Sequence, residues 1–344
     1  MEAGFWRGRR VFLTGHTGFK GGWLSLWLQR LGAEVTGYAL PPSKSPSLFA
    51  EADVATGMTS VIGDIRELSA LKRAVAESAP EIVFHLAAQP LVRASYADPI
   101  ETYSTNVLGT VNLFEAVRSQ GSVRAIVNVT SDKAYENREW AQGYRETDPM
   151  GGHDPYSSSK GCAELVTAAY RRSFGLSLAS ARAGNVIGGG DWSPDRLVPD
   201  VLAALAAGRP VEIRHPAATR PWQHVLEPLR GYLTLAERLL FDPKRFAEAW
   251  NFGPDEASCQ PVSAVVGECL RVWGAEASWG AQAGDHPHEA SYLKLDSSKA
   301  RTALGWAPKL SLPEAISLTV DWHRRWLAGS DMRSFTLLQI EQHG

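Results

Sequence analysis

At 344 residues the chain has room for one elaborated domain or two intimately joined ones, and 44% hydrophobic with 21% charged residues marks a folding sequence, not a disordered one. Thirty-five Lys and Arg stand against 37 Asp and Glu, and the resulting net charge of −2 supplies no long-range field for nucleic acid or an acidic membrane surface. The 3 cysteines, Cys162, Cys259 and Cys269, form no CxxC pair and no even-numbered framework, which argues against a disulfide scaffold and a cysteine-rich zinc site and for a reducing cytoplasm.

The apolar run Val11 to Leu13 is broken at once by Gly15 and Gly18, too soon for a signal peptide, and no later run is long enough to span a bilayer. The first predicted strand, Val11–Thr14, leads directly into Gly15-His16-Thr17-Gly18-Phe19-Lys20-Gly21-Gly22 and a helix at Gly22–Leu31. Glycines between a strand and a helix let the chain bend tightly and let a pyrophosphate reach the amides at the helix's positive end. At the head of a βαβ series this reads as a dinucleotide site, spaced Gly-x-x-Gly-x-x-Gly; an ordinary tight turn is the plain alternative. Trp23 and Trp27, one helical turn apart, read as core. The second strand, Glu34–Ala39, ends without the acidic residue that binds a ribose diol, and with Ser43, Lys44 and Ser45 just beyond, the residues alone leave NAD and NADP both open.

A third strand, Thr59–Ile62, is closed by Asp64-Ile65; the Asp64 carboxylate suits either an adenine amino group or the cap of the helix predicted at Glu67–Ser78. A fourth, Ile82–Leu86, runs into His85-Leu86-Ala87-Ala88-Gln89, where small residues let a cofactor lie against the strand end. A helix at Ile100–Arg118 precedes the fifth strand, Ala125–Val129, and Ser131 stands just past its end. Asp154 as cap and Pro155 at the first helical position start a helix at Pro155–Phe174, in which Tyr156 and Lys160 share one face. Later apolar segments, Ser177–Ile187 and Ala249–Phe252, read as further buried strands on either side of an irregular stretch holding the glycine run Gly188–Gly190. The expected fold is α/β, a doubly wound parallel Rossmann-type sheet with an interleaved smaller carboxy-terminal substrate lobe. Residues 1–187, joined by 222–255, would form the cofactor domain, and 188–221 with 256–344 the substrate lobe.

Ser131, Tyr156 and Lys160 together make an oxidoreductase centre, in which Lys160 and a positive nicotinamide lower the Tyr156 pKa and Ser131 positions a substrate hydroxyl. With Thr130-Ser131-Asp132-Lys133-Ala134-Tyr135-Glu136-Asn137, Gly143-Tyr144-Arg145-Glu146, Asp148 to Ser157, and Arg220-Pro221-Trp222-Gln223-His224-Val225, the chain resembles the extended short-chain dehydrogenase/reductase superfamily, and within it the nucleotide-sugar 4,6-dehydratases of the CDP-glucose branch. The resemblance covers essentially the whole chain. It implies NAD as cofactor, bound by Gly15, His16, Thr17, Gly18, Phe19, Lys20, Gly21, Asp64, Ile65, Leu86, Ala87, Ala88, Gln89, Asn106, Tyr156 and Lys160. It further implies oxidation at carbon 4 of the sugar, loss of water across carbons 5 and 6 with Asp132 as acid and Lys133 as base, and return of the hydride to carbon 6. Adjacent Asp and Lys each favour the other's charge, so these two roles require desolvation. A 4-epimerase shares the glycine turn, Ser131, Tyr156 and Lys160 but needs no elimination pair.

The resemblance also implies a substrate, CDP-glucose or a related nucleotide sugar, held by His85, Ser131, Asn185, Arg196, Arg220 and Tyr292, with the segment from Gly284 to Tyr292 closing over the nucleotide. A buried diphosphate calls for cationic or amide donors, and Arg220 in its aromatic, proline-rich setting suits that need best. No metal is expected, and Cys162 reads as packing. The helices at Ile100–Arg118 and Pro155–Phe174 form the superfamily's dimer surface, so a homodimer or homotetramer follows, in a cytoplasmic pathway to a deoxysugar of an O-antigen-type surface polysaccharide.

Overall fold

Seven strands lie side by side in one sheet: β1 (Arg10–Thr14), β2 (Glu34–Ala39), β3 (Thr59–Ile62), β4 (Ile82–His85), β5 (Ala125–Val129), β6 (Leu178–Ala183) and, from much later in the chain, Ala249–Phe252. All six pairings are parallel. A sheet covered on both faces favours continuous apolar strands, and β4, β5 and β6 are buried at every position. The order reverses between β1, which neighbours β2 on one side, and β4 on the other; such a switch opens a crevice at the strands' carboxyl ends. The computed structural model describes residues 4–274, 279–281 and 292–344. Among them no helix is long and apolar enough to cross a membrane.

Three short strands follow β6: β7 (Asn185–Ile187), β8 (Val211–Ile213) and β9 (Thr219–His224). The returning strand Ala249–Phe252 is β10, and β11 (Cys259–Pro261) and β12 (Trp279–Ala281) complete the set. β9 pairs with β7 and β11 in a second sheet, and β8 pairs with β12 in a third. A separate apolar cluster of Val198, Val201, Leu202, Val211, Trp222, Val266 and Ile316 fills this region. The single strand expected at Ser177–Ile187 is therefore two, broken at Gly184. A Cβ at Gly184 would stand 2.5 Å from Pro221 Cγ and 2.9 Å from Asp132 Oδ2, so a glycine is needed where the chain leaves the main sheet.

The helix expected at Ile100–Arg118 begins at Pro99, capped by Asp98, whose Oδ1 accepts the Glu101 amide at 2.8 Å. A five-residue π turn at Ser104–Leu108 then interrupts it before Gly109–Arg118. An extra residue per turn is invisible to apolar periodicity, and π turns gather at functional sites. Asn106 sits in this one.

Candidate active site

The turn after β1 is shaped by close approaches that only glycine permits. Gly15 has φ +82°, and a Cβ there would lie 2.7 Å from the Ala87 nitrogen; a Cβ at Gly21 would lie 2.0 Å from the Gly15 oxygen. The helix Phe19–Arg30 thus starts inside the glycine motif, with its amide end facing a cleft of about 400 Å³. Thr17, Phe19, Asp64, Ile65, Leu86, Ala87, Ala88, Tyr156 and Lys160 line that cleft. Backbone amides at a helix start and a wall of small residues along β4 fit a dinucleotide's pyrophosphate and rings.

Not every residue expected at the cofactor faces it. The His16 ring is fully buried over Gly37, where a Cβ would come within 2.3 Å of it, and Nε2 meets Ser60 Oγ at 2.7 Å. It packs on β2, and burial pushes its pKa down to about 4. Asp64 caps no helix; Arg66 clasps it through its amide at 2.9 Å and through its guanidinium, which holds the carboxyl below its usual range. Gln89 and Asn106 stand behind the cleft: Asn106 Oδ1 accepts the Gln89 amide at 2.8 Å, and Nδ2 donates to Ser159 Oγ at 2.8 Å. They tie the β4 end to the helix Pro155–Phe174 and do not line either cleft.

His85 is a correction of the same kind. Expected to touch substrate, it is 2% exposed, with Nδ1 2.7 Å from Thr14 Oγ1 and Nε2 3.0 Å from Thr110 Oγ1. Thr14 Oγ1 already accepts the Leu86 and Ala87 amides, so it donates to Nδ1, and Nε2 carries the ring's proton. Burial and the charge of Lys160 push its pKa down to about 3. Neutral His85 locks the ends of β1 and β4 together. Tyr292 bridges to Thr219 at the start of β9 and lies outside both cleft linings, and residues 284–291 lie outside the described residues.

A second cleft of about 260 Å³ adjoins the first. It holds Ser131, Asp132, Lys133, Asn185, Arg196 and Arg220, and Tyr156 lines both. β5 ends at Val129, and Ser131 caps a 3₁₀ turn over Asp132–Ala134 by accepting the Lys133 amide at 3.2 Å. Its hydroxyl donates to Asp132 Oδ1 at 3.0 Å and is also hydrogen-bonded to the Tyr156 phenol. Burial holds that phenol above its ordinary range, with the Ser131 hydrogen bond and the Arg196 charge pulling it down. Lys160, one turn along the helix, is pushed down to about 8 by burial.

Asp132 is the electrostatic centre of the second cleft. It is 3% exposed, its Oδ2 has no hydrogen-bond partner among the described residues, and burial raises its pKa against the charges of Lys133 and Arg220 and the Ser131 hydrogen bond. Burial of a carboxyl with one unpartnered oxygen favours its protonated form, the form a general acid needs.

Two groups at the junction escape a reading of motifs. Lys20, expected only at the cofactor, lines both clefts and is pushed down to about 8 by burial, with Arg196 and Lys160 adding to the effect. Asp191 accepts from Arg196 Nη1 at 3.3 Å and raises Lys20. Its signal in the sequence is its position immediately after the Gly188–Gly190 run, which threads past Val225, Trp322 and Leu48 too closely for a Cβ.

The NAD dependent epimerase/dehydratase family model matches residues 11–251. The chain is 55% identical over 341 residues to CDP-glucose 4,6-dehydratase of Salmonella typhimurium, covering 96% of this chain and 95% of that one. It is 26% identical to dTDP-glucose 4,6-dehydratase of Xanthomonas campestris pv. campestris, covering 95% and 97%. The crystal structure of dTDP-glucose 4,6-dehydratase from Streptomyces venezuelae with NAD and TYD bound superposes with a TM-score of 0.81 at 26% identity, covering 94% of this chain and 99% of that one. Two adjoining clefts that share one buried tyrosine, a family match running from β1 to β10 and this identity along almost the whole chain lead to one assignment: the chain belongs to the NAD dependent epimerase/dehydratase family.

Proposed function

We propose that the protein is an NAD-dependent nucleotide-sugar 4,6-dehydratase that converts CDP-glucose to CDP-4-keto-6-deoxyglucose and water. The observation that carries this is the buried carboxyl of Asp132, its Oδ2 without a hydrogen-bond partner among the described residues, in the cleft that adjoins Tyr156, a group with no task in 4-epimerisation. The 55% identical relative supports the cytidine nucleotide and glucose as substrate. Bound in the first cleft, NAD supplies the two-electron acceptor for carbon 4 that later reduces carbon 6.

Tyr156, which burial alone keeps as the neutral phenol, would take the proton of the 4-hydroxyl oriented by Ser131 once the Lys160 charge and bound NAD favour its phenolate. The carbonyl so formed at carbon 4 acidifies the hydrogen on carbon 5, and Lys133, reaching into the second cleft from the same turn, removes that proton and returns it to carbon 5 as carbon 6 is reduced. Asp132 gives its proton to the departing 6-hydroxyl, which leaves as water. Arg196, Arg220 and Asn185 line the same cleft and would bind the diphosphate. Residues 188–221 and 256–344 would then enclose the nucleotide sugar. Exposed Ile100, Tyr103, Leu108, Leu165 and Phe174, on the helices expected to dimerise, support a homodimer, and three unpaired cysteines support a cytoplasmic setting.

Incubation with CDP-glucose tests the reading. A 4-keto-6-deoxy product, seen by its absorbance in alkali, is expected; CDP-galactose as the sole product would make the protein an epimerase.

A further inference from the structure

The segment Ser131–Ala134 presents the serine, the acid and the lysine of the second cleft, and one buried ion pair anchors it at both ends. Arg182 on β6 grips Glu164 in parallel, Nε to Oε1 at 2.9 Å and Nη2 to Oε2 at 2.8 Å, with both side chains 4% exposed. Before the segment, Thr130 donates its hydroxyl to Glu164 Oε1 at 2.5 Å. After it, the Tyr135 hydroxyl accepts from Arg182 Nη1 at 2.6 Å and donates to Asn251 Oδ1 at 2.8 Å, while the ring stacks on Tyr144 with centroids 5.1 Å apart. Burial keeps the phenol protonated across the working pH range. A three-residue 3₁₀ turn has almost no hydrogen bonds of its own, so its ends decide where it sits.

The same pair reaches the catalytic helix. Glu164 lies one turn beyond Lys160, and its charge raises Lys160 against the effect of burial. Gly161 brings helix and turn together: a Cβ there would lie 2.6 Å from the Gly151 oxygen and 3.4 Å from the Ala134 oxygen. Glu164 and Arg182 therefore hold the oxidation centre, and Tyr135 extends that hold to the far end of the turn carrying Asp132 and Lys133.

We propose that Tyr135 is a positioning residue for the elimination step: its hydroxyl, clamped between Arg182 and Asn251, sets the far end of the Asp132–Ala134 turn and so the reach of Asp132 and Lys133 to the sugar's carbons 5 and 6. Oxidation at carbon 4 depends on Tyr156 and Lys160, fixed on the helix, and on Ser131, fixed through Thr130. Thr130 and Tyr135 thus tie the two ends of the segment to opposite members of one ion pair, and only the Tyr135 tie serves the elimination alone.

This inference rests on the dehydratase reading, and its test keeps the two apart. With wild-type enzyme, CDP-glucose must give the 4-keto-6-deoxy product; if it does not, the dehydratase reading falls. If it does, Tyr135→Phe is followed by the near-ultraviolet absorbance of reduced cofactor together with product. Displacing acid and base by a fraction of an ångström is expected to slow water loss about 10-fold or more. Carbon 4 oxidation should stay within about 3-fold of wild type, so reduced cofactor accumulates during turnover. Unchanged partition between the two steps, with or without a lower melting temperature, overturns the proposal, because a merely structural tyrosine would lower stability without separating them. Should Tyr135→Phe not fold, Asn251→Ser, which withdraws the phenol's acceptor, is read by the same criterion.

Discussion

Acidification should unfold this protein through its histidines. Five of the nine, His16, His85, His224, His323 and His343, are buried, with pKa values pushed down to between about 3 and about 4. Packing gives the same answer: one ring nitrogen of His16, His224, His323 and His343 is buried without a hydrogen-bond partner among the described residues. A proton added to such a ring puts charge, and often a second N–H donor, into a buried site; of the four, His343 alone has a carboxylate near among the described residues, Glu227 at 3.7 Å. Once unfolded, each histidine titrates near 6.5. Below that value the unfolded chain binds protons that the folded chain refuses, so the stability these groups allow is full above about pH 7.5 and is lost as pH falls from about 6.5 toward 4. At about pH 5 each costs about 2 kcal/mol, or about 10 kcal/mol for the five, which is comparable to the whole stability of an ordinary domain. Asp132, Glu146 and Glu227, raised by burial, take up protons in the folded state and offset part of that loss. The assay is urea unfolding at about pH 7.5 and about pH 5, for wild type and for His323→Phe. His323 packs among Trp192, Trp273 and Trp326, outside the reacting groups, and phenylalanine fills its place without titrating. The variant should recover about 2 kcal/mol of the acid loss. Equal stability at the two pH values in wild type, or an unchanged pH dependence in the variant, would refute the reasoning.

Asp132→Asn should bind cofactor and oxidise carbon 4 while releasing no water, since an amide N–H is far too weak an acid to protonate the leaving hydroxyl; normal product formation would remove Asp132 from the acid role. Arg220→Ala should raise KM for CDP-glucose about 10- to 100-fold, the scale of a lost charge-assisted hydrogen bond, and leave cofactor affinity within about 2-fold; steady-state kinetics with isothermal titration of NAD checks both. Gly15→Ala forces a Cβ to 2.7 Å from the Ala87 nitrogen in left-handed backbone, so NAD binding by titration should weaken at least about 10-fold; retention of wild-type affinity would show that the turn does not carry the cofactor.

What could be read from the sequence follows how far each signal travels along the chain. Tyr156 and Lys160 are legible because four residues on a helix make one face, and the glycine turn because strand, bend and helix are consecutive. The turn after β5 is legible for the same reason, since Ser131, Asp132 and Lys133 are neighbours, while the elimination roles of Asp132 and Lys133 come from the resemblance. His85 misleads for the opposite reason. Its place at a strand end beside small residues is what a ligand-facing histidine shows, and the two hydroxyls that bury it come from Thr14 and Thr110, 71 and 25 residues away. Gly184 had a local signal, a glycine inside an apolar run, but the nearby apolar residues on both sides made one strand the simpler reading.

The ion pair of Glu164 and Arg182 is the instructive omission, because it too has a local mark. Arg182 lies in Leu178–Ala183, a strand buried at every position, and a charge there cannot be solvated. An unpaired guanidinium in such a strand would cost several kcal/mol, so the sequence demands a buried carboxylate without saying where. The helix Pro155–Phe174, which packs on that strand, carries one acid, Glu164, and places it one turn beyond Lys160. A charge on a buried strand and a lone acid on the helix that covers it therefore form a joint signal, one that finds the support of a catalytic helix before any contact is seen.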